Sequence, residues 1–160
     1  MAWLRGIEGV VTPEEHREAL EAATAEYERA RARGYSHAYK SDHMSAETKI
    51  NLIYRAYCAQ YAVARWWGVP DYHVNINSFK SEPDVPPFFE VRYAVSALAD
   101  FAKCWPGDRD GDRLIFVRGW PALEIVGYIP VSLAKTRYPL YDWEKRGAFH
   151  KIPIGDLWPL

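Results

Sequence analysis

Between Ala46 and Trp67, the residues Ile50, Ile53, Tyr54, Tyr57, Tyr61 and Ala64 recur at the spacing that gathers side chains on one helix face. The pattern predicts a helix with a well-defined buried stripe, ended by Gly68-Val69-Pro70. An earlier segment, about Pro13 to Arg33, predicts a helix with a thinner stripe of Leu20, Ala23, Tyr27 and Ala30. Thr12 and Glu15 stand at capping-box spacing and Pro13 suits the first helical position. Glu14, Glu15 and Glu18 crowd its start and Arg29, Arg31 and Arg33 its end, so both termini complement the helix dipole. Gly34 is a natural stop. So thin a stripe suits a helix laid on the surface of a larger unit or on a partner.

After Pro70 the period changes. Tyr72 to Asn77 alternates apolar and polar residues, the pattern of a half-buried strand. Ser81 to Pro87 is a proline-rich turn. Phe88 to Val95 predicts a second strand, nearly continuously apolar except at Glu90 and Arg92. It is expected to pair with Tyr72–Asn77 and to sit centrally in the sheet. Leu114–Val117 and Leu123–Ile129 predict a hairpin around Gly119-Trp120-Pro121. The tail combines a short helical stretch near Val131–Thr136, an aromatic loop and a last turn. The order implies an α/β or α+β fold, with a mixed sheet of about four strands flanked by helices and an extra N-terminal helix. Residues 1–45 read as helix and linker, and 46–160 as the main domain.

Length and composition narrow the classes. At 160 residues, 49% hydrophobic and 26% charged, the chain suits one folded domain rather than a disordered segment. No apolar run approaches the ~20 residues of a membrane span, and the N-terminus lacks a signal peptide's apolar core. Two cysteines, Cys58 and Cys104, cannot build a disulfide framework, which points to a reducing cytoplasm. Lysine and arginine total 20 against 21 acidic residues, which excludes coating nucleic acid by bulk charge but leaves room for a local basic groove. Aromatic residues reach 15%, enough to fill a core and an interface, and also the material of base-stacking platforms.

Zinc spacings such as CxxC and HExxH are missing, and His37, His43, His73 and His150 stand apart. Asp108-x-Asp110-Gly111-Asp112 matches the start of a calcium loop, but Gly119 fills the position that needs a glutamate, so it reads as a turn. Cys58 has no cue for a nucleophile and is expected to pack inside its helix.

The stretch that can carry chemistry is Pro83-Asp84-Val85-Pro86-Pro87-Phe88-Phe89-Glu90-Val91-Arg92. Glu90 and Arg92 lie two apart on a predicted strand and so share a face, while Phe89, Val91 and Tyr93 take the other. Asp84 in the preceding turn can fold back beside Glu90. Two carboxylates held together repel unless a cation sits between them, and hard oxygen ligands suit Mg²⁺ or Mn²⁺.

Pro-Asp followed by Glu-x-Arg on a strand resembles the signature of the PD-(D/E)XK nuclease superfamily. The wider pattern, Gln60 to Gly68, Val74 to Lys80, Pro83-Asp84-Val85, Glu90-Val91-Arg92 and Gly127 to Pro130, resembles small phage and prophage proteins of that type. The resemblance covers about Lys49 to the C-terminus. It implies a restriction-endonuclease-like sheet, a cytoplasmic setting in a bacterial host and divalent-metal-dependent hydrolysis of DNA phosphodiesters. It also implies metal ligation by Asp84, Glu90 and the Val91 carbonyl, and a homodimer.

Arg92 stands where that family usually has lysine, and Gln60 where many members carry glutamate. Arginine stays protonated and cannot act as a general base, though it can hold a water or a phosphate. Gln60 adds no charge. Lys80, Arg113, Arg118 and Lys135 are the cations that could line a cleft for a phosphate backbone. The alternative is a nuclease fold without catalysis, a binding module that engages a phage or host protein. Convergence of Asp84 and Glu90 in an open cleft favours the enzyme, and pairing of either with an arginine favours the module.

Overall fold

Thr12 starts the first helix as its spacing predicts. Its hydroxyl accepts from the Glu15 amide at 3.2 Å, and its own amide donates to the Glu15 carboxylate at 3.1 Å. The computed structural model describes residues 6–34, 44–74, 82–142 and 147–160. In chain order they form β1 (Ile7–Gly9), α1 (Pro13–Ala32), α2 (Ala46–Trp67), β2 (Phe89–Ala94), β3 (Phe101–Cys104), β4 (Arg113–Arg118), β5 (Leu123–Pro130), α3 (Val131–Arg137), β6 (Leu140–Asp142) and β7 (Ala148–Pro153). A single 3-10 turn, Ile154–Asp156, follows. Helix α2 ends at Gly68, whose φ of 81° is the left-handed conformation that glycine adopts without strain.

Two sheets form, one of four strands in the order β1-β5-β4-β2 and one of three in the order β3-β7-β6. The first is mixed: β2 runs parallel to β4, and β4–β5 and β5–β1 are antiparallel. The fold is therefore of the mixed α/β kind with an N-terminal helix. Strand β4 lies between β5 and β2 and is buried on both faces. Ile115 and Val117 join the core under α2 with Tyr61, Phe89, Val91 and Ile125. Leu114 and Phe116 join a second core with Ala102, Ile129, Val131 and Ile152. An unbroken apolar run, Leu-Ile-Phe-Val, is what a strand covered on both sides requires.

Helix α1 lies against α2, with Ala19 and Ala23 fully buried, and β1 pairs with β5. Small residues let the two helices approach closely, so a thin stripe suffices. Gly127 is demanded by the C-terminus: a Cβ there would lie 2.6 Å from the Trp158 carbonyl oxygen. That carbonyl accepts from the Tyr128 amide at 3.1 Å. Among the described residues, no helix is long and apolar enough to cross a membrane.

Several local expectations change. Tyr72–Val74 is not a strand, and the rest of that segment, Asn75–Asn77, lies outside the described residues. Among the described residues, β2 has β4 as its ladder partner and ends the strand order instead of sitting centrally. The central place goes to β4, the strand with no charge between its ends. Strands β1, β3, β6 and β7 appear where the sequence pattern predicts none. Tyr61 is buried in the core it shares with Phe89, Val91 and Ile115, and it also reaches Glu18 of α1 and Tyr72.

Candidate functional site: an arginine held between carboxylates

Alternation along β2 places Phe89 and Val91 in the core under α2 and turns Glu90 and Arg92 to the other face, as the sequence predicts. The ladder sets Glu90 beside Leu114 and Arg92 beside Phe116. Arg92 then uses its whole guanidinium. Nη1 donates to Glu90 Oε1 at 2.8 Å and to the Val91 carbonyl at 3.2 Å. Nη2 donates to Asp108 Oδ1 at 2.5 Å, and Nε to the Lys103 carbonyl of β3 at 3.1 Å. The planar fork thus ties the edge of one sheet to the edge of the other.

Asp108 is set by its own turn. Its second carboxylate oxygen accepts from the Trp105 amide at 2.8 Å, and its amide donates back to the Trp105 carbonyl at 3.0 Å. Lys135 on α3 donates to the Asp108 carbonyl at 2.5 Å and to Asp110 Oδ1 at 2.7 Å. The aspartate-rich stretch is a turn, as expected. Its role as the second acid on Arg92 was not legible, because that contact joins residues 16 positions apart.

Asp84 does fold back towards the strand. Its Oδ2 accepts from the Val91 amide at 2.9 Å, an amide that points off the edge of β2 and needs an acceptor. The Asp84 carbonyl accepts from the Tyr72 hydroxyl at 2.7 Å, and that hydroxyl also lies 3.0 Å from the Gln60 side chain. A phenol has one proton, so while it serves Asp84 the Gln60 amide must turn its NH₂ to the phenol oxygen. Gln60 thus reaches the site through Tyr72, a residue that sequence pattern read only as strand.

Burial and the Glu90 charge push the Asp84 carboxyl up to about 7, against the opposing pull of the Val91 amide and Arg92. Burial also raises Glu90, although Arg92 pulls it down. Burial works against the Arg92 charge, but Asp108 and Glu90 more than offset it and raise its pKa. Asp112 nearby is 3% exposed and raised by burial. Its Oδ2 lies 3.5 Å from Arg109 Nε and, among the described residues, has no hydrogen-bond partner.

A carboxyl raised in the folded state binds more protons there than in the unfolded chain between its two pKa values. The Asp84 contribution to stability is therefore largest at acid pH and falls as pH rises from about 4 through about 7. Asp84→Asn keeps an acceptor for the Val91 amide and removes the ionisation. We expect it to be about 1–2 kcal/mol more stable than the parent at pH 8, and no more stable at pH 4. Urea denaturation at both pH values checks this. Equal gains at both would sever the link to ionisation.

The other predicted cations scatter. Arg113 opens β4 and lies 4.3 Å over the Phe88 ring, whereas Arg118 closes β4 and pairs with Glu124 at 2.7 Å. Lys135 serves the Asp108 turn. Lys80, His37 and His43 lie outside the described residues. Each residue implied as a metal ligand has a partner within the protein. Glu90 is committed to Arg92, Asp84 Oδ2 to an amide, and the Val91 carbonyl accepts from Arg92. Among the described residues, no group of three or more His, Cys, Asp or Glu side chains is placed to hold a metal. Comparison of the chain with family models, with curated proteins and with solved structures returns no match.

Proposed function

We propose that this chain is a nuclease-fold binding module: an α/β unit resembling the PD-(D/E)XK nucleases that engages a partner without hydrolysing phosphodiesters. The observation that carries this reading is the Arg92 guanidinium, 2.8 Å from Glu90 and 2.5 Å from Asp108. It supplies the positive charge that paired carboxylates otherwise draw from a divalent cation. Gln60 in place of a third acid supports the same reading, as does the near balance of 20 basic and 21 acidic residues.

The test is titration calorimetry with Mn²⁺ and Mg²⁺, beside incubation with supercoiled, linear and branched DNA. We expect no stoichiometric cation binding and no cleavage. Mn²⁺-dependent cleavage that vanishes in both Asp84→Asn and Glu90→Gln would overturn the proposal and establish a metal-dependent DNA nuclease instead.

A further inference from the structure

At one end of the first sheet, on the face that α2 covers, side chains far apart in sequence form a belt. Alternation puts Arg113 of β4 on the face of Ile115, and Tyr128 of β5 stands across from Ile115. Beyond β5, Trp158 and Tyr128 form an isolated bridge, their amides donating to each other's carbonyls at 2.7 and 3.1 Å. On the opposite flank Phe88 leads into β2 and Trp67 closes α2. The Trp67 and Phe88 rings lie 5.6 Å apart, and the Tyr128 and Trp158 rings 5.7 Å apart. Arg113 joins the two pairs, its guanidinium 4.3 Å over the Phe88 ring and 5.7 Å from that of Tyr128.

The belt faces solvent. Trp67 is 43% exposed, Trp158 is 42% exposed, and Arg113 is exposed. Contiguous exposed rings around a polar group mark interaction surfaces, and tryptophan, tyrosine and arginine carry most interface hot spots. Charge narrows the partner. Arg92 of β2 and Arg118 of β4 pair with carboxylates at 2.8 and 2.7 Å. The Arg113 guanidinium meets rings only, with no carboxylate partner among the described residues. Residues 1–5, ahead of β1, and 75–81, ahead of Phe88, contain no aspartate or glutamate. Stacking fixes the guanidinium plane and leaves its edge to donate a parallel pair of hydrogen bonds to one carboxylate.

We propose that this belt is a docking surface for a partner protein that presents a single aspartate or glutamate among apolar side chains. The guanidinium and the carboxylate neutralise each other one to one. The rings on either side exclude water from the pair, which strengthens it. A second copy of this chain fits poorly, because a two-fold contact through the belt would set Arg113 against Arg113 with no acid between them. Nucleic acid fits poorly as well, because its further phosphates would lie over uncharged rings. The proposal rests on the binding-module reading, to which it adds the chemistry of the partner.

The experiment is selection of a phage-displayed random dodecapeptide library on the immobilised full chain in EDTA, with Arg113→Glu as the counter-target. The parent is expected to enrich peptides with one Asp or Glu flanked by aromatic or aliphatic residues. Fluorescence anisotropy of the synthesised peptide then gives its affinity. Arg113→Ala and Trp158→Ala should each weaken it about tenfold or more, the scale of an interface hot spot. Arg113→Glu should lose this peptide and bind its counterpart with the acid changed to lysine, a rescue that requires an intact fold.

No enrichment on the parent over Arg113→Glu would overturn the proposal. So would peptides enriched without an acid, or affinity unchanged in Arg113→Ala. Displacement of the peptide by oligo-dT as efficient as by unlabelled peptide would assign the belt to nucleic acid instead. Self-association of the parent that Arg113→Glu abolishes would assign it to a second copy. Cation-dependent DNA cleavage would overturn the binding-module reading and leave a selected acidic peptide standing; no acidic peptide and no cleavage would do the reverse.

Discussion

Replacing Arg92 with alanine is expected to lower stability by about 3–5 kcal/mol at neutral pH, the range for removing one partner of a buried ion pair. The side chains concerned are largely buried, with Arg92 16%, Glu90 21% and Asp108 6% exposed. Without the guanidinium, Glu90 and Asp108 become uncompensated negative charges close to Asp84. They can escape only by binding protons, so the loss should shrink towards pH 4. Arg92→Lys should fall between, costing about 1–3 kcal/mol, because a single ammonium cannot reproduce the fork to both acids and the Lys103 carbonyl. Urea denaturation at pH 7 and pH 4 measures all of these. An unchanged midpoint in Arg92→Ala would mean that the acids do not depend on the arginine, and would reopen the site to an external cation.

Truncation of Tyr61 should cost nearly as much, by a different cause. The side chain is 3% exposed in the core under α2, and its ring meets Tyr72 edge-on at 5.3 Å. Large aromatic truncations in cores cost about 3–5 kcal/mol, through lost burial and the cavity left behind. Burial and the nearby Glu18 carboxylate push the Tyr61 phenol up to about 12, so it stays a neutral donor. It donates to Glu18 at 3.0 Å, a bond to α1 at the edge of the protein. Tyr61→Phe should therefore lose only about 0.5–1.5 kcal/mol, the net worth of one hydrogen bond. Thermal or urea melts of the two variants separate the ring from the hydroxyl. A small effect of Tyr61→Ala would show that α2 does not rest on this residue.

What the sequence determined by itself is the part governed by local physics. Helices α1 and α2 were readable because caps, dipole-matching charges and a helical apolar period act within a few residues of one another. The β4–β5 hairpin followed from two apolar runs around a Gly-Trp-Pro turn, and the face shared by Glu90 and Arg92 from strand alternation. The approach of Asp84 to β2 needed only a short turn before the strand.

Tertiary structure decided the rest. Strands β3, β6 and β7 are three to six residues long and take their stability from pairing with one another, which no local pattern reports. The parallel partner of β2 depended on β4 being apolar on both faces, a matter of what covers it. Above all, the sequence placed Arg92 beside Glu90 but could not place Asp108 on its other side. That contact closes a loop through β3, and long-range contacts of this kind are set by packing rather than by spacing. The same kind of packing gathered Trp67, Phe88, Arg113, Tyr128 and Trp158 into one belt.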